Sequence, residues 1–211
     1  MVFRLLQKEL VFPDPAFAEP DGLLAVGGDL SKERLILAYQ SGIFPWFSEG
    51  DPICWFSPPE RCVIFPEEVN ISKSMKKIIR DGIFRIKMNT AFTEVIKHCA
   101  SVYREGQDGT WITNAMQDAY LRLHQAGVAH SVEVWQDDEL VGGLYGIKVN
   151  HVFCGESMFS LVSNASKAAL IWLCQQPEYK LIDCQVPNDH LFSLGAQLIP
   201  RVEYLQHLTQ G

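Results

Sequence analysis

No stretch of the sequence supplies the roughly eighteen uncharged apolar residues that a bilayer-spanning helix needs, and the amino end, MVFRLLQKEL, lacks the basic, apolar and small-residue sections of a secretory signal. A soluble, cytoplasmic protein without membrane contact is expected. Nor is there a C-x-x-C pair. The six cysteines, Cys54, Cys62, Cys99, Cys154, Cys174 and Cys184, lie scattered in mostly apolar runs and read as reduced core residues. The six histidines show no ligand spacing, so no metal site is expected. Positive charge is in deficit: a formal net charge of −7 argues against indiscriminate nucleic-acid binding, although it does not exclude a local basic patch.

What is present is a globular composition, 47 % hydrophobic in 211 residues, enough for one large domain or a core domain with an appendage. Its centre is FCGESMFSLVSNASK, Phe153 to Lys167. An apolar run carries Glu156 out to its end, and the polar turn 163–166 opens an apolar helix. That helix returns the chain to a second buried strand, Lys180 to Val186, bearing Asp183 and Gln185. Strand, helix and strand make a crossover unit whose parallel strands present their carboxyl ends on one edge, where ligands tend to bind. Glu156, Asp183 and Gln185 are expected near that edge. Upstream, strands at 130–136, 140–149 and 152–157 read as an antiparallel meander, and Gly142, Gly143 and Gly146 in the middle strand mark bulges or a close approach. Downstream come a short NDHLFSLG helix and a strand around 197–202, while 203–211 carries no pattern.

Nearer the amino end, Ser31 caps a helix, SKERLILAYQSG, that ends at Gly42. The following IFPWFSEGDPICWFSPPERCVIFP sets Phe44, Trp46, Phe47, Trp55 and Phe56 among Pro45, Pro52, Pro58 and Pro59, which forbids a regular helix and predicts a fixed aromatic wall. Most of these rings suit the core of a small N-terminal domain over residues 1–59, bounded by Pro58-Pro59. Trp46, in its tight turn, suits either packing or stacking on a ligand base. Between Ser72 and Gly82, Lys73, Lys76, Lys77 and Arg80 fall at i, i+3, i+4 and i+7. This basic face is either solvated or a phosphate contact, with a salt slope of roughly −3 in log K if all four cations engage. The loop REGQDG leads to Trp111. A helix from Thr113 or Asn114 to Gln125 then places Met116, Ala119, Tyr120 and Leu123 on its core stripe, with Trp111 just before its cap.

A three-stranded meander, a helix, a parallel strand, a helix and a closing strand is the order of acyl-CoA N-acyltransferase folds. The expected class is therefore α+β, a GNAT-like mixed sheet with flanking helices over 60–211, preceded by the small N-terminal domain. Fold alone does not give function. The Gly-rich turn that holds pyrophosphate in those enzymes is missing, since 161–166 reads LVSNAS, which argues against acetyl-CoA. The stretches DGLLAVGGDL, AYQSGIFPWF, GTWIT, HSVEVW, LVGGLYG, FCGESMFS, NASK and LIDCQVPNDH together resemble bacterial leucyl/phenylalanyl-tRNA–protein transferase over nearly the whole chain. The resemblance implies transfer of Leu, Phe or, less readily, Met from aminoacyl-tRNA to acceptor proteins with N-terminal Arg or Lys, marking them for N-end rule degradation. It implies a monomer with no CoA, metal or nucleotide cofactor, and a chain somewhat longer than one ending at Gly211.

The reaction so implied is aminolysis of an ester. An α-amino group with a pKa near 7.7 to 8.0 keeps a neutral fraction at pH 7, so positioning and oxyanion support should carry more of the rate than strong base catalysis. By resemblance, Asp183 accepts from or orients the amine, and Gln185, two residues on and expected on the same face, fixes it. On the residues alone, a carboxylate in so apolar a strand is costly unless partnered, and a structural ion pair with a core lysine would also account for it. Glu156 is assigned the acceptor's cationic side chain, with helix-cap support as the structural alternative. Leu144, Phe153 and Ile182 line the pocket for the transferred side chain, positions that equally suit a core. Trp46 and Trp111 hold the terminal adenosine, Tyr39 and Tyr120 complete the substrate-binding set, and Lys73, Lys77 and Arg80 match the tRNA patch. Leu173 stands where the resemblance leads one to expect an aromatic. A small-molecule acyl-CoA N-acyltransferase and a passive tRNA-binding module are the competing readings; acids at one sheet edge speak against the second.

Overall fold

A computed structural model of the protein describes residues 2–102 and 110–209; the loop REGQDG lies outside them. The chain opens with β1 (Phe3–Leu5), β2 (Leu23–Gly27), α1 (Lys32–Gln40), β3 (Phe44–Pro45) and β4 (Cys54–Phe56). These strands form a four-stranded sheet in the order β1-β2-β4-β3. Ser31 caps α1 by accepting from the Arg34 N–H, as its position before the first helical turn predicts. The proline-rich aromatic stretch is thus partly strand, two short segments pairing through Phe44 with Phe56 and Pro45 with Trp55.

There follow β5 (Glu60–Ile64), α2 (Lys73–Arg80), β6 (Arg85–Met88), α3 (Phe92–Ser101), α4 (Asn114–Gln125), β7 (Ala129–Gln136), β8 (Glu139–Val149) and β9 (Val152–Ser160). The chain continues through α5 (Ala165–Cys174), β10 (Leu181–Gln185), α6 (Asp189–Ser193), β11 (Gln197–Pro200) and α7 (Arg201–Thr209). The second sheet has seven strands in the order β11-β5-β10-β9-β8-β7-β6. The meander β7-β8-β9 is antiparallel, and β10 returns parallel to β9 across the α5 crossover. Both β5 and α7 depart from the sequence expectation. β5 inserts between β11 and β10, antiparallel to both, and the patternless tail forms α7, which buries Tyr204 and Leu208.

The two sheets share a core. Leu24, Leu35 and Trp55 of the amino-terminal part pack in one cluster with Val95, Ile96 and Tyr120 of α3 and α4. On the opposite face of the large sheet, α5 packs Ala169, Leu170 and Leu173 against Val132, Leu144 and Ile182. α5 lies close because β8 carries Gly142 beneath it: a Cβ there would stand 2.5 Å from the Ala165 Cβ, a separation no real pair adopts.

Two irregularities shape the sheet's centre. In β8–β9 the register runs from Tyr145↔Ser157 to Gly146↔Gly155, which leaves Glu156 as the extra residue of a β-bulge. Between β9 and β10 the pairing ends at Cys154↔Asp183, so the strands part just where each carries its polar residues. β9 itself runs on to Ser160, which puts Glu156 at mid-strand and not at its end.

Candidate active site

The parted strands open a cleft. Deep in it lies an apolar cavity of about 280 Å³ whose walls include Leu144, Phe153, Leu170, Leu173 and Ile182, with Glu156 and Trp111 at its border. A second hollow of about 210 Å³ adjoins it, lined by Phe44, Pro45, Trp46, Trp111, Glu156 and Gln185. Trp111, Glu156, Cys184, Val186 and Asn188 border both, making one continuous cleft with an aromatic mouth and an apolar end. Trp46 stands 41 % exposed on the turn that β3 and β4 hold, its backbone N–H donating to the Cys54 carbonyl at 2.9 Å.

Glu156 and Gln185 meet at the floor, the Gln185 Nε2 donating to Glu156 Oε1 at 2.6 Å. Gln185 reaches it because the strand is irregular between Asp183 and Gln185 and Gln185 holds φ of +62°, in the left-handed region where a non-glycine residue is uncommon. Alternation would have sent both side chains to one face; the bulge separates them instead.

Tyr39 and Tyr120 do not line the cleft. Both rings are buried, and their hydroxyls lie side by side, each donating its one proton to Glu156, at 2.6 and 2.9 Å. The carboxylate therefore takes three protein donors. Burial pushes its pKa up to about 7 against the pull of the Tyr39, Tyr120 and Gln185 hydrogen bonds, and the Asp183 charge adds a further push.

Asp183 is fully buried and turned toward α7. Arg61 Nε donates to its Oδ1 and Arg61 Nη2 to its Oδ2, both at 2.8 Å. The Gln185 N–H adds to Oδ1 at 2.8 Å and the Tyr204 hydroxyl to Oδ2 at 2.7 Å. These four donors fill the four lone-pair sites of the carboxylate, leaving none for a substrate amine. The ion-pair alternative is the geometry found, with arginine in place of lysine. Burial works against the Arg61 charge, but the Asp183 carboxylate outweighs it and holds the guanidinium pKa above its ordinary value.

Sequence reasoning passed over Arg61 and Tyr204, and read Phe44 only as one ring of an aromatic wall. One signal pointed to Arg61: a lone cation in the apolar run RCVIF needs a partner when buried, and Asp183 is the lone acid in LIDCQ. The basic stripe is borne on α2, where Lys73, Lys76, Lys77 and Arg80 are exposed while Met75 packs against Ala168 and Ile171 of α5. Asp81 pairs with Lys77 and Arg80 at 2.5 and 3.1 Å. Among the described residues no group of His, Cys, Asp and Glu could hold a metal ion, and no helix is long and apolar enough to cross a membrane.

Comparison with known proteins places the chain. The family model described as leucyl/phenylalanyl-tRNA protein transferase matches residues 63–209, and that of the family's N-terminal domain matches residues 28–59. Leucyl/phenylalanyl-tRNA–protein transferase of Flavobacterium johnsoniae is 57 % identical over 206 residues, covering 96 % of this chain and 97 % of that relative. The same-named protein of Shigella dysenteriae serotype 1 is 55 % identical over 212 residues, covering 98 % and 89 %. A solved GCN5-related N-acetyltransferase from Kribbella flavida superposes with a TM-score of 0.38 at 10 % identity, covering 79 % of this chain and 59 % of its own, too slight a likeness to carry an argument. With both family models matched and identities above one half over nearly the full length, this chain belongs to the leucyl/phenylalanyl-tRNA–protein transferases, enzymes that pass an aminoacyl group from tRNA to protein.

Proposed function

We propose that the protein transfers Leu, Phe and, less readily, Met from aminoacyl-tRNA to proteins beginning with Arg or Lys, as a cytoplasmic monomer of the N-end rule pathway. The observation that carries the reading is the Glu156–Gln185 pair at 2.6 Å, set between an aromatic mouth and an apolar cavity. Leu144, Phe153 and Ile182 take the transferred side chain, and an apolar wall separates ligands differing by a methylene by only about 1–3 kcal/mol, which suits a Leu, Phe and Met range. Trp46 and Trp111 stack the terminal adenosine. Lys73, Lys77 and Arg80 meet acceptor-stem phosphates.

At the floor, the bond from the Gln185 amide nitrogen to Glu156 fixes the amide plane, and its carbonyl oxygen is the group that accepts from the attacking amine. The amine nitrogen bonds to the ester carbonyl carbon, the bond to the ribose 3′-oxygen breaks, and the amine's proton passes to that oxygen. Glu156 keeps one acceptor position for the guanidinium or ammonium of the incoming Arg or Lys, which draws the carboxyl toward its charged form. Asp183 orients Gln185 through the backbone N–H it accepts. In this reading, residues 1–59 form the small domain and 60–211 the GNAT-like catalytic one.

The test is transfer of labelled Leu from Leu-tRNA to two peptides differing only in N-terminal Arg or Ala, with acetyl-CoA as a parallel donor. Labelling of the Arg peptide alone is expected. Equal labelling of both peptides would refute the Glu156 assignment, and acetyl transfer would refute the donor.

A further inference from the structure

Arg61 is 1 % exposed, and its guanidinium is used on every side. Its edge makes the two parallel bonds to Asp183, Nη1 donates to the Gly42 carbonyl at 3.3 Å, and its faces lie between the Phe44 and Tyr204 rings, each 4.6 Å from the central carbon. A buried ion pair is by itself weak evidence for stability, since matched apolar residues often do as well. What an apolar pair would not supply is a carboxylate oxygen fixed in space. Here Oδ1 of Asp183 receives both the Arg61 Nε and the Gln185 N–H, and the Gln185 backbone is held at positive φ. The same residue's side chain then ends on Glu156.

We infer that Arg61 is a positioning residue for aminoacyl transfer: by orienting Asp183 it sets the bulge that turns Gln185 onto Glu156. Tyr204 of α7 is the second support, through its hydroxyl on Asp183 Oδ2. Lysine cannot replace the planar fork, since an ammonium is a compact point charge that neither chelates both oxygens in one plane nor fills the slot between two rings. The inference rests on reading Gln185 and Glu156 as the floor of the site.

The test is a cycle of Arg61→Lys and Gln185→Ala, alone and together, with kcat and KM for Leu-tRNA measured on an Arg-initiated peptide. Arg61→Lys should lower kcat on the order of 100-fold, the cost of misplacing a reacting group by about 1 Å, while KM for Leu-tRNA stays within about twofold. The double variant should be no slower than Gln185→Ala alone, because both changes act on one geometry. Tyr204→Phe, which keeps the ring over the guanidinium, should show a smaller kcat loss that likewise vanishes in the Gln185→Ala background, and it serves if Arg61→Lys does not fold. Multiplying losses, or a loss confined to KM, would overturn the inference and leave the site standing. Undiminished kcat in Gln185→Ala would bring down the reading of the floor itself.

Discussion

Replacing Glu156 by Gln removes one titrating group and leaves its volume and hydrogen-bonding neighbours in place. The Glu156 carboxyl rises from an ordinary 4.5 in the unfolded chain to about 7 in the folded one, chiefly through burial. Between those values the unfolded chain has lost the proton and the folded protein keeps it, so stability falls as pH rises, by about 1.4 kcal/mol per unit. The contribution is fully present below about pH 4.5 and gone above about pH 7, a total of about 3 kcal/mol. That is a large share of the roughly 5–15 kcal/mol that holds a domain folded. Urea unfolding of both proteins between about pH 4.5 and 8 reads the effect directly, since every other group cancels in the difference. Relative to the wild type, the Gln variant should gain about 3 kcal/mol across that range. Parallel curves would refute the argument, because they would mean that Glu156 ionises as easily folded as unfolded.

Asp183→Ala should cost about 3–5 kcal/mol by leaving the Arg61 charge buried and unpaired, while Leu-tRNA binding persists; an unchanged melting temperature would contradict the ion pair. Lys73→Ala with Lys77→Ala should weaken Leu-tRNA binding and flatten its slope of log K against log salt by about 1.5, and an unaltered slope would remove α2 from the interface. A fragment beginning at residue 60 should show no cooperative melt, since Leu24, Leu35 and Trp55 complete the core under α3 and α4. A sharp transition in that fragment would prove the two sheets separable.

What the sequence shows well is whatever is local. The caps at Ser31, Ser72 and Thr113 each accept from the expected backbone N–H, and the meander and crossover follow from alternation and from one apolar helix. What it hides is long-range. β5 is five residues between prolines, and its pairing with β10 and β11 is settled by partners more than a hundred residues away. α7 gives little periodic signal because its inward residues are the isolated Tyr204 and Leu208. Within the site, Asp183, Glu156 and Gln185 were legible as polar residues in apolar strands. The irregularity at Gln185 was not, and the bulge opposite Gly146, at one of the glycines read as marking a bulge or a close approach, puts its extra residue, Glu156, on the neighbouring strand; the two decide which of these residues share a face. Burial of an acid is no sufficient sign either. Glu133 is as buried as Asp183, yet it accepts from Ser131 at 2.5 Å and Thr90 at 2.9 Å and borders neither hollow of the cleft.

The bond from Tyr204 to Asp183 also sets an order of events during synthesis. Strands β8, β9 and β10 emerge from the ribosome before α7, so a growing chain exposes its floor residues while the clamp behind them is incomplete. An enzyme whose substrate is aminoacyl-tRNA is made beside a machine crowded with that substrate. Because one of the four donors on Asp183 comes from Tyr204 of α7, the hydrogen bonding of that carboxylate is complete only once α7 has been made and has packed against it.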